Sequence, residues 1–287
     1  MPTVASHDGV SIAAHDLDGE GPDLLLAHAT GFHGRVWLPV VAALRSHFRC
    51  IAVDERGHGD SGVPPDASFD WRAMAGDLLA VVEAMALPAP FGVGHSAGAT
   101  LLLLAEQARP GTFRALWCYE PILPPSDDLP PPADRGRLAA GARKRTEVFP
   151  SRDHAYRQYA SRLPFSALAP DALRAYVDFG FEDLADGTVR LRCRPEHEAR
   201  VYESGFSHGA DRHLDRVRCP VTVACGERTR HVDPVAVRGL AARLPGAGVQ
   251  VLPGLGHFGP LEDPAAVAEA VLGALSPVSR PVQEHER

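Results

Sequence analysis

No uninterrupted apolar stretch in this 287-residue chain approaches the length that crosses a bilayer. The N-terminus shows no basic, apolar and small-residue leader pattern. Residence in the cytoplasm, away from membranes, is therefore the expectation. Basic runs are missing as well, and a formal net charge of −7 argues against a nucleic-acid partner. Cysteine is sparse and unpatterned. Cys50, Cys118, Cys193, Cys219 and Cys225 are odd in number and lack C-x-x-C spacing, which points to buried free thiols rather than disulfides or a metal. The chain has 14 histidines, yet none forms the H-x-x-x-H or H-E-x-x-H pair of a metal-binding helix. Neither a metal nor another cofactor is expected.

What remains is an ordinary globular composition, 45% apolar and 23% charged. Short β-rich runs alternate with helical patterns, the signature of a mostly parallel sheet covered on both faces. Strands are expected at Thr3–His7, Ser11–Asp16, Asp23–His28, Arg49–Asp54, Phe91–Gly94, Ala115–Tyr119, Val221–Cys225 and Val249–Leu252. The first two read as an antiparallel pair joined across Asp8-Gly9. Helices are expected near Val36–Ser46, Trp71–Met85, Ala97–Ala108, Val235–Leu244 and Pro264–Ala274, the last capped by Asp263. The alternation breaks after a proline-rich, acidic linker at Pro121–Pro132. Amphipathic helical stretches follow at Arg135–Glu147, His154–Arg162, Pro170–Phe179 and Pro195–Tyr202. The expected organisation is an α/β core of residues 1–122 and 213–287, with a helical lid, 123–212, inserted into it. Phe149, Tyr156, Phe165, Leu168, Tyr176 and Phe179 read as lid core more than pocket wall. Pro277–Arg287 reads as a fraying tail.

The chemistry is carried by Gly94-His95-Ser96-Ala97-Gly98, which follows the apolar run Pro90-Phe91-Gly92-Val93. A strand here enters a tight turn with serine at its tip, and an apolar helix leaves it. Small residues on either side let the backbone turn sharply, so the Ser96 hydroxyl stands clear of the sheet. The Ala97 amide then points to where an oxyanion would form. At the end of the third strand, Leu26-Ala27-His28-Ala29-Thr30-Gly31-Phe32 offers a second backbone donor, taken as that of Thr30. Asp54-Glu55-Arg56-Gly57-His58-Gly59-Asp60-Ser61 reads as a structural loop. Gly254-Leu255-Gly256-His257-Phe258 places a histidine at a glycine-flanked loop tip, where an ordinary imidazole suits a general base. Phe32, Val36, Trp37 and His95 stand beside these pieces.

Together these segments resemble the α/β-hydrolase superfamily, specifically its lidded esterase, C–C hydrolase and dehalogenase-like branch. They come in that family's order and cover the chain from about residue 3 to 275. The resemblance implies an α/β-hydrolase fold, an eight-stranded mostly parallel sheet with helices on both faces and an inserted helical lid. It also implies a serine, acid and histidine triad. The acid departs from the common pattern, in which an aspartate follows the strand matching Val221–Cys225 in a Gly-x-x-Asp run. Here Gly226-Glu227-Arg228-Thr229 puts a threonine in its place. Glu120, ending the strand Trp117-Cys118-Tyr119-Glu120, resembles the relocated acid of some haloalkane dehalogenases and is the favoured partner of His257. Asp233 and Glu227 are the alternatives.

Ser96 at the nucleophile position, where dehalogenases and epoxide hydrolases carry aspartate, suits acyl transfer instead. The expected activity is cofactor-free cleavage of a small to medium carboxylic ester or lactone through an acyl-enzyme, by a monomer or homodimer. C–C bond, thioester and amide hydrolysis or perhydrolysis use the same triad, and a non-catalytic small-ligand receptor is the alternative outside enzymes.

Overall fold

The computed structural model describes residues 3–124, 132–230 and 234–275. From the N-terminus, β1 (Thr3–Ala5) and β2 (Ser11–Asp16) form an antiparallel pair across the Asp8-Gly9 turn. There follow β3 (Asp23–Ala27), α1 (Leu38–Leu44), β4 (Arg49–Val53), α2 (Trp71–Ala84), β5 (Phe91–His95), α3 (Ala97–Ala108) and β6 (Leu116–Tyr119). Between β6 and the next strand of the main sheet the chain forms α4 (Pro132–Ala142), β7 (Val148–Phe149), α5 (Arg152–Ala160), α6 (Pro170–Phe179), β8 (Phe181–Asp183), β9 (Val189–Leu191) and α7 (Pro195–Ser204). It then re-enters the sheet as β10 (Val221–Gly226), followed by α8 (Pro234–Arg243), β11 (Gly248–Leu252), α9 (Gly259–Glu262) and α10 (Pro264–Leu275).

The main sheet has eight strands in the order β1-β2-β4-β3-β5-β6-β10-β11, parallel from β4 to β11. Its central strands are buried on both faces, as an alternating pleat requires when helices cover each side, while the edge strands β1 and β11 are largely exposed. In β3, Leu25 and Ala27 face the layer of α2 and α3, where Leu78, Val81 and Leu102 lie. Leu24 and Leu26 face the opposite layer, with Val40, Leu44 and Val271. Asp70 caps α2 by accepting from Arg72 N–H and Ala73 N–H at 2.9 and 3.1 Å. Asp263 does the same for α10 through Ala266 N–H, 3.0 Å. All five cysteines are free and buried. No helix among the described residues is long and apolar enough to cross a membrane.

Two features of the insertion differ from the sequence reading. The helix expected at 135–147 stops at Ala142, because Arg145 turns inward to pair with Glu198 and two tyrosines. The insertion also carries a three-stranded antiparallel sheet, β7-β9-β8. Its β8–β9 hairpin turns at Asp186-Gly187, with Gly187 at φ +85° and Glu182 paired to Arg190 at 2.8 Å. The insertion is tied to the core where Trp71 Nε1–H donates to Val201 O, 3.0 Å.

Candidate active site

The ends of β3, β5, β6 and β10 converge at the carboxyl edge of the parallel sheet, the edge where open α/β sheets hold their ligands. Ser96 follows β5 and has φ 55° and ψ −115°, a conformation costly for any residue with a Cβ and held only by its surroundings. Its N–H donates to Tyr119 O at 2.8 Å, locking the turn against β6. The flanking glycines are required by close approach. A Cβ on Gly94 would lie 2.5 Å from Ala99 Cα, and one on Gly98 would lie 2.5 Å from Ala27 C and His28 O. Gly98→Ala should wedge α3 away from β3 and cost about 1–3 kcal/mol, as overpacking does. Urea denaturation of the variant beside the wild type checks this, and an unchanged midpoint would show that the approach tolerates a methyl group.

Glu120, directly after β6, is fully buried with φ 45°. Its Oε1 accepts from Gly226 N–H at 3.0 Å. Its Oε2 accepts from Thr229 Oγ1–H at 2.8 Å and from His257 Nδ1–H at 2.7 Å. That last bond keeps the neutral imidazole protonated on Nδ1 and leaves Nε2 as the acceptor. The His257 loop is fixed from three sides. Glu262 accepts from Gly256 N–H and Phe258 N–H at 2.7 and 3.2 Å. Tyr119 OH donates to Gly256 O at 2.6 Å, and His95 Nε2 bonds His257 O at 2.7 Å. This last contact ties the histidine loop to the residue preceding Ser96. Among the described residues Ser96 Oγ has no hydrogen-bond partner, the His257 imidazole included.

Gly31 N–H donates to His58 Nε2 at 3.0 Å, and Gly98 N–H donates to His28 O at 3.1 Å. The amides of Thr30 and Ala97 have no hydrogen-bond acceptor among the described residues. Beneath the Thr30 loop, His28 Nε2 accepts from Glu55 N–H at 2.9 Å while its Nδ1–H donates to Ala29 O at 2.8 Å. His58 repeats the arrangement, with Nδ1–H on Arg56 O at 3.0 Å. Burial, aided for His28 by the neighbouring His58, depresses these imidazoles to about 3 and about 4. Glu55 is fully buried with neither carboxyl oxygen bonded, and burial pushes its pKa well up.

The 54–61 loop is scaffold. Asp54 accepts from Gly34 N–H at 2.6 Å and Asp60 N–H at 2.8 Å and pairs with His15 Nε2 at 2.8 Å. Arg56 grips Asp77 and Asp8. His15, Asp54 and Asp60 are close enough to share a metal ion, but Arg35 and Arg192 already pair with Asp60 at 3.4 and 2.8 Å.

A cleft of about 450 Å³ opens over Thr30, Gly31, Phe32 and Phe258 and is walled by the insertion. Phe149 and Phe165, expected in the lid core, line it. Val36 and Trp37 are buried in the core. Of the alternative acids, Glu227 accepts from Gly254 N–H at 2.9 Å at the surface, and Asp233 lies outside the described residues. Glu262 and Arg145 were not singled out in the sequence. An acid five residues after His257 is too common to flag the first, and the second shows only through partners distant in sequence.

A family model described as the alpha/beta hydrolase family matches residues 24–270. The chain belongs to the alpha/beta hydrolase family. This alpha/beta hydrolase is 26% identical over 240 residues to the 2-(acetamidomethylene)succinate hydrolase of Mesorhizobium japonicum, spanning 84% of this chain and 83% of that one. Among solved structures, an E-2-(acetamidomethylene)succinate hydrolase matches with a TM-score of 0.81 and 23% identity, covering 95% and 97% of the two chains. The enol-lactonase from Burkholderia xenovorans LB400 matches with a TM-score of 0.74 and 20% identity over 96% and 99%. At these identities the two structures speak for the fold alone.

Proposed function

We propose that this alpha/beta hydrolase cleaves a small to medium carboxylic ester or lactone through an acyl-enzyme on Ser96. The observation that carries the reading is the Glu120 carboxylate bridging Thr229 Oγ1 and His257 Nδ1 beside the Ser96 turn. His257 Nε2 takes the hydroxyl proton as Ser96 Oγ attacks the ester carbonyl. The amides of Thr30 and Ala97 receive the oxyanion, where one fixed donor is worth about 3 kcal/mol of barrier. The imidazolium then hands its proton to the departing alkoxide. Water, deprotonated by His257, attacks the acyl carbonyl and releases the carboxylic acid and Ser96. Throughout, Glu120 holds the imidazole tautomer and stabilises its charged form without itself being protonated. The insertion serves as the lid that walls the substrate off.

A fluorophosphonate probe tests the nucleophile directly. Labelling that maps to Ser96 by peptide mass analysis, with p-nitrophenyl ester turnover lost in step, is the expected result. Label elsewhere, or a folded protein that neither labels nor turns over, would overturn the reading. A second reading, cleavage of an acyl–nitrogen bond, is favoured by the Mesorhizobium japonicum relative, whose named substrate carries an acetamido group. Matched ester and anilide substrates separate the two.

A further inference from the structure

We propose that this hydrolase selects substrates carrying a free carboxylate, which Lys144 and Arg162 draw into the cleft and Arg145 anchors beside the oxyanion loop. The inference rests on the serine-hydrolase reading and names the substrate class for it.

The charge of the cleft is opposite to that of the protein. The chain as a whole carries a formal charge of −7, yet the cleft is lined by Arg137, Lys144, Arg145 and Arg162 against a single carboxylate, Glu198. Lys144 is the only lysine in the sequence. Most other arginines of the insertion have carboxylate partners, among them Arg143 with Glu196, Arg190 with Glu182 and Arg194 with Glu147. Arg137, Lys144 and Arg162 make no ion pair among the described residues. Unpaired cations at the mouth of an apolar cleft raise the local concentration of anionic substrate and steer its entry.

Arg145 lies deeper. Its guanidinium pairs with Glu198, and its Nη2 donates to the hydroxyls of Tyr159 at 3.2 Å and Tyr176 at 2.5 Å. Both phenols accept from the arginine, so their own O–H groups remain as donors. The cluster adjoins the Thr30 loop. A Cβ built on Gly31, next to Thr30, would lie 2.8 Å from Glu198 Oε1 and 3.4 Å from Arg145 Nη1. Phe165 lies under the guanidinium at 5.8 Å from the ring centre. Phe149, Phe165 and Phe258 line the same cleft. A planar cation held by its partners, with the Tyr159 hydroxyl and aromatic walls in the same cleft, suits a carboxylate on a short apolar linker. A neutral alkyl chain would fill the walls and leave the cations unused.

The single lysine allows a test that needs no catalysis. Protein labelled with isotopic lysine gives one side-chain NMR signal, and glutarate should shift it saturably while its neutral isostere glutaramide does not. In kinetics, mono-p-nitrophenyl glutarate should exceed p-nitrophenyl valerate in kcat/KM by about tenfold at low salt, an advantage that shrinks as salt is added. Lys144→Gln/Arg162→Gln should lower that ratio by about tenfold, chiefly through KM. Arg109→Gln, at the far end of α3, should leave both rates unchanged. Equal shifts by glutarate and glutaramide, or a ratio untouched in the double variant, would overturn the proposal. Failure of both esters together with absent fluorophosphonate label would instead sink the serine-hydrolase reading, and the NMR titration would still decide whether the cleft takes a carboxylate.

Discussion

Glu120→Gln is expected to lower kcat on p-nitrophenyl esters by about 10⁴-fold with KM within a few-fold of wild type, the loss seen when the acid of a serine triad becomes an amide. The substitution is nearly isosteric, so the bonds to Gly226 N–H and Thr229 Oγ1 can persist and the fold should be intact by circular dichroism. Two things change. The amide cannot stabilise the imidazolium that forms as Ser96 is deprotonated. Its NH₂ group, if turned to His257, also demands that Nδ1 be an acceptor, which moves the proton to Nε2 and blocks the base. Steady-state kinetics on the folded variant check the result. Activity within tenfold of wild type would place the acid elsewhere, with Asp233 the residue to change next.

The threonine at the vacant position sharpens the same experiment. Thr229 Oγ1 lies 2.8 Å from the carboxylate oxygen that His257 contacts, so an aspartate there would approach the imidazole from the neighbouring strand end. Thr229→Asp in the Glu120→Gln background is expected to recover roughly tenfold or more of the lost rate, because a carboxylate again faces Nδ1. With Glu120 intact the same change sets two carboxylates side by side, and one of them must take up a proton. Recovery would identify carboxylate charge near Nδ1, rather than the Glu120 backbone, as what the site requires.

How much of this was readable without coordinates follows from the range of each interaction. The nucleophile turn is local, since Gly94 and Gly98 are dictated by neighbours a few residues away or by the strand alongside, and the sequence shows it directly. The central strands were legible because burial on both faces produces short unbroken apolar runs. The Glu120–His257 bond spans 137 residues. The threonine at 229, a missing acid where one was due, and the resemblance of Glu120 at its strand end to a relocated acid pointed toward it. The small sheet β7-β9-β8 escaped because its strands are two or three residues long, too short for alternation to register, although Asp186-Gly187 is a hairpin signal. The cationic cleft was likewise invisible. Its members come from separate stretches of the insertion, and an arginine in sequence does not reveal whether a carboxylate will meet it.

Acid should destabilise the fold well before its ordinary carboxylates titrate. His28 and His58 sit buried as neutral rings whose Nε2 atoms accept from Glu55 N–H and Gly31 N–H, so a proton on either ring would face donor with donor. Their folded values of about 3 and about 4 lie below the roughly 6.5 of an unfolded histidine. The unfolded chain therefore binds more protons in this window, and stability falls as pH drops below about 6.5. At about 1.4 kcal/mol per unit for each ring, the two together remove on the order of 5 kcal/mol by pH 4.5, much of what a typical domain has. Glu55 works in the opposite direction, since its raised folded pKa makes the fold the better proton binder above about 4.3, and it offsets part of the loss. Urea titrations from pH 7.5 to 4.5 measure the slope. His58→Gln should flatten it by about one histidine's share, because the amide oxygen can still accept from Gly31 N–H and does not titrate. A wild type equally stable at pH 7 and 4.5 would show that these rings take up protons without penalty. Since one of the two bonds at risk holds Gly31, the neighbour of Thr30, ester hydrolysis should fail in acid before the fold as a whole does.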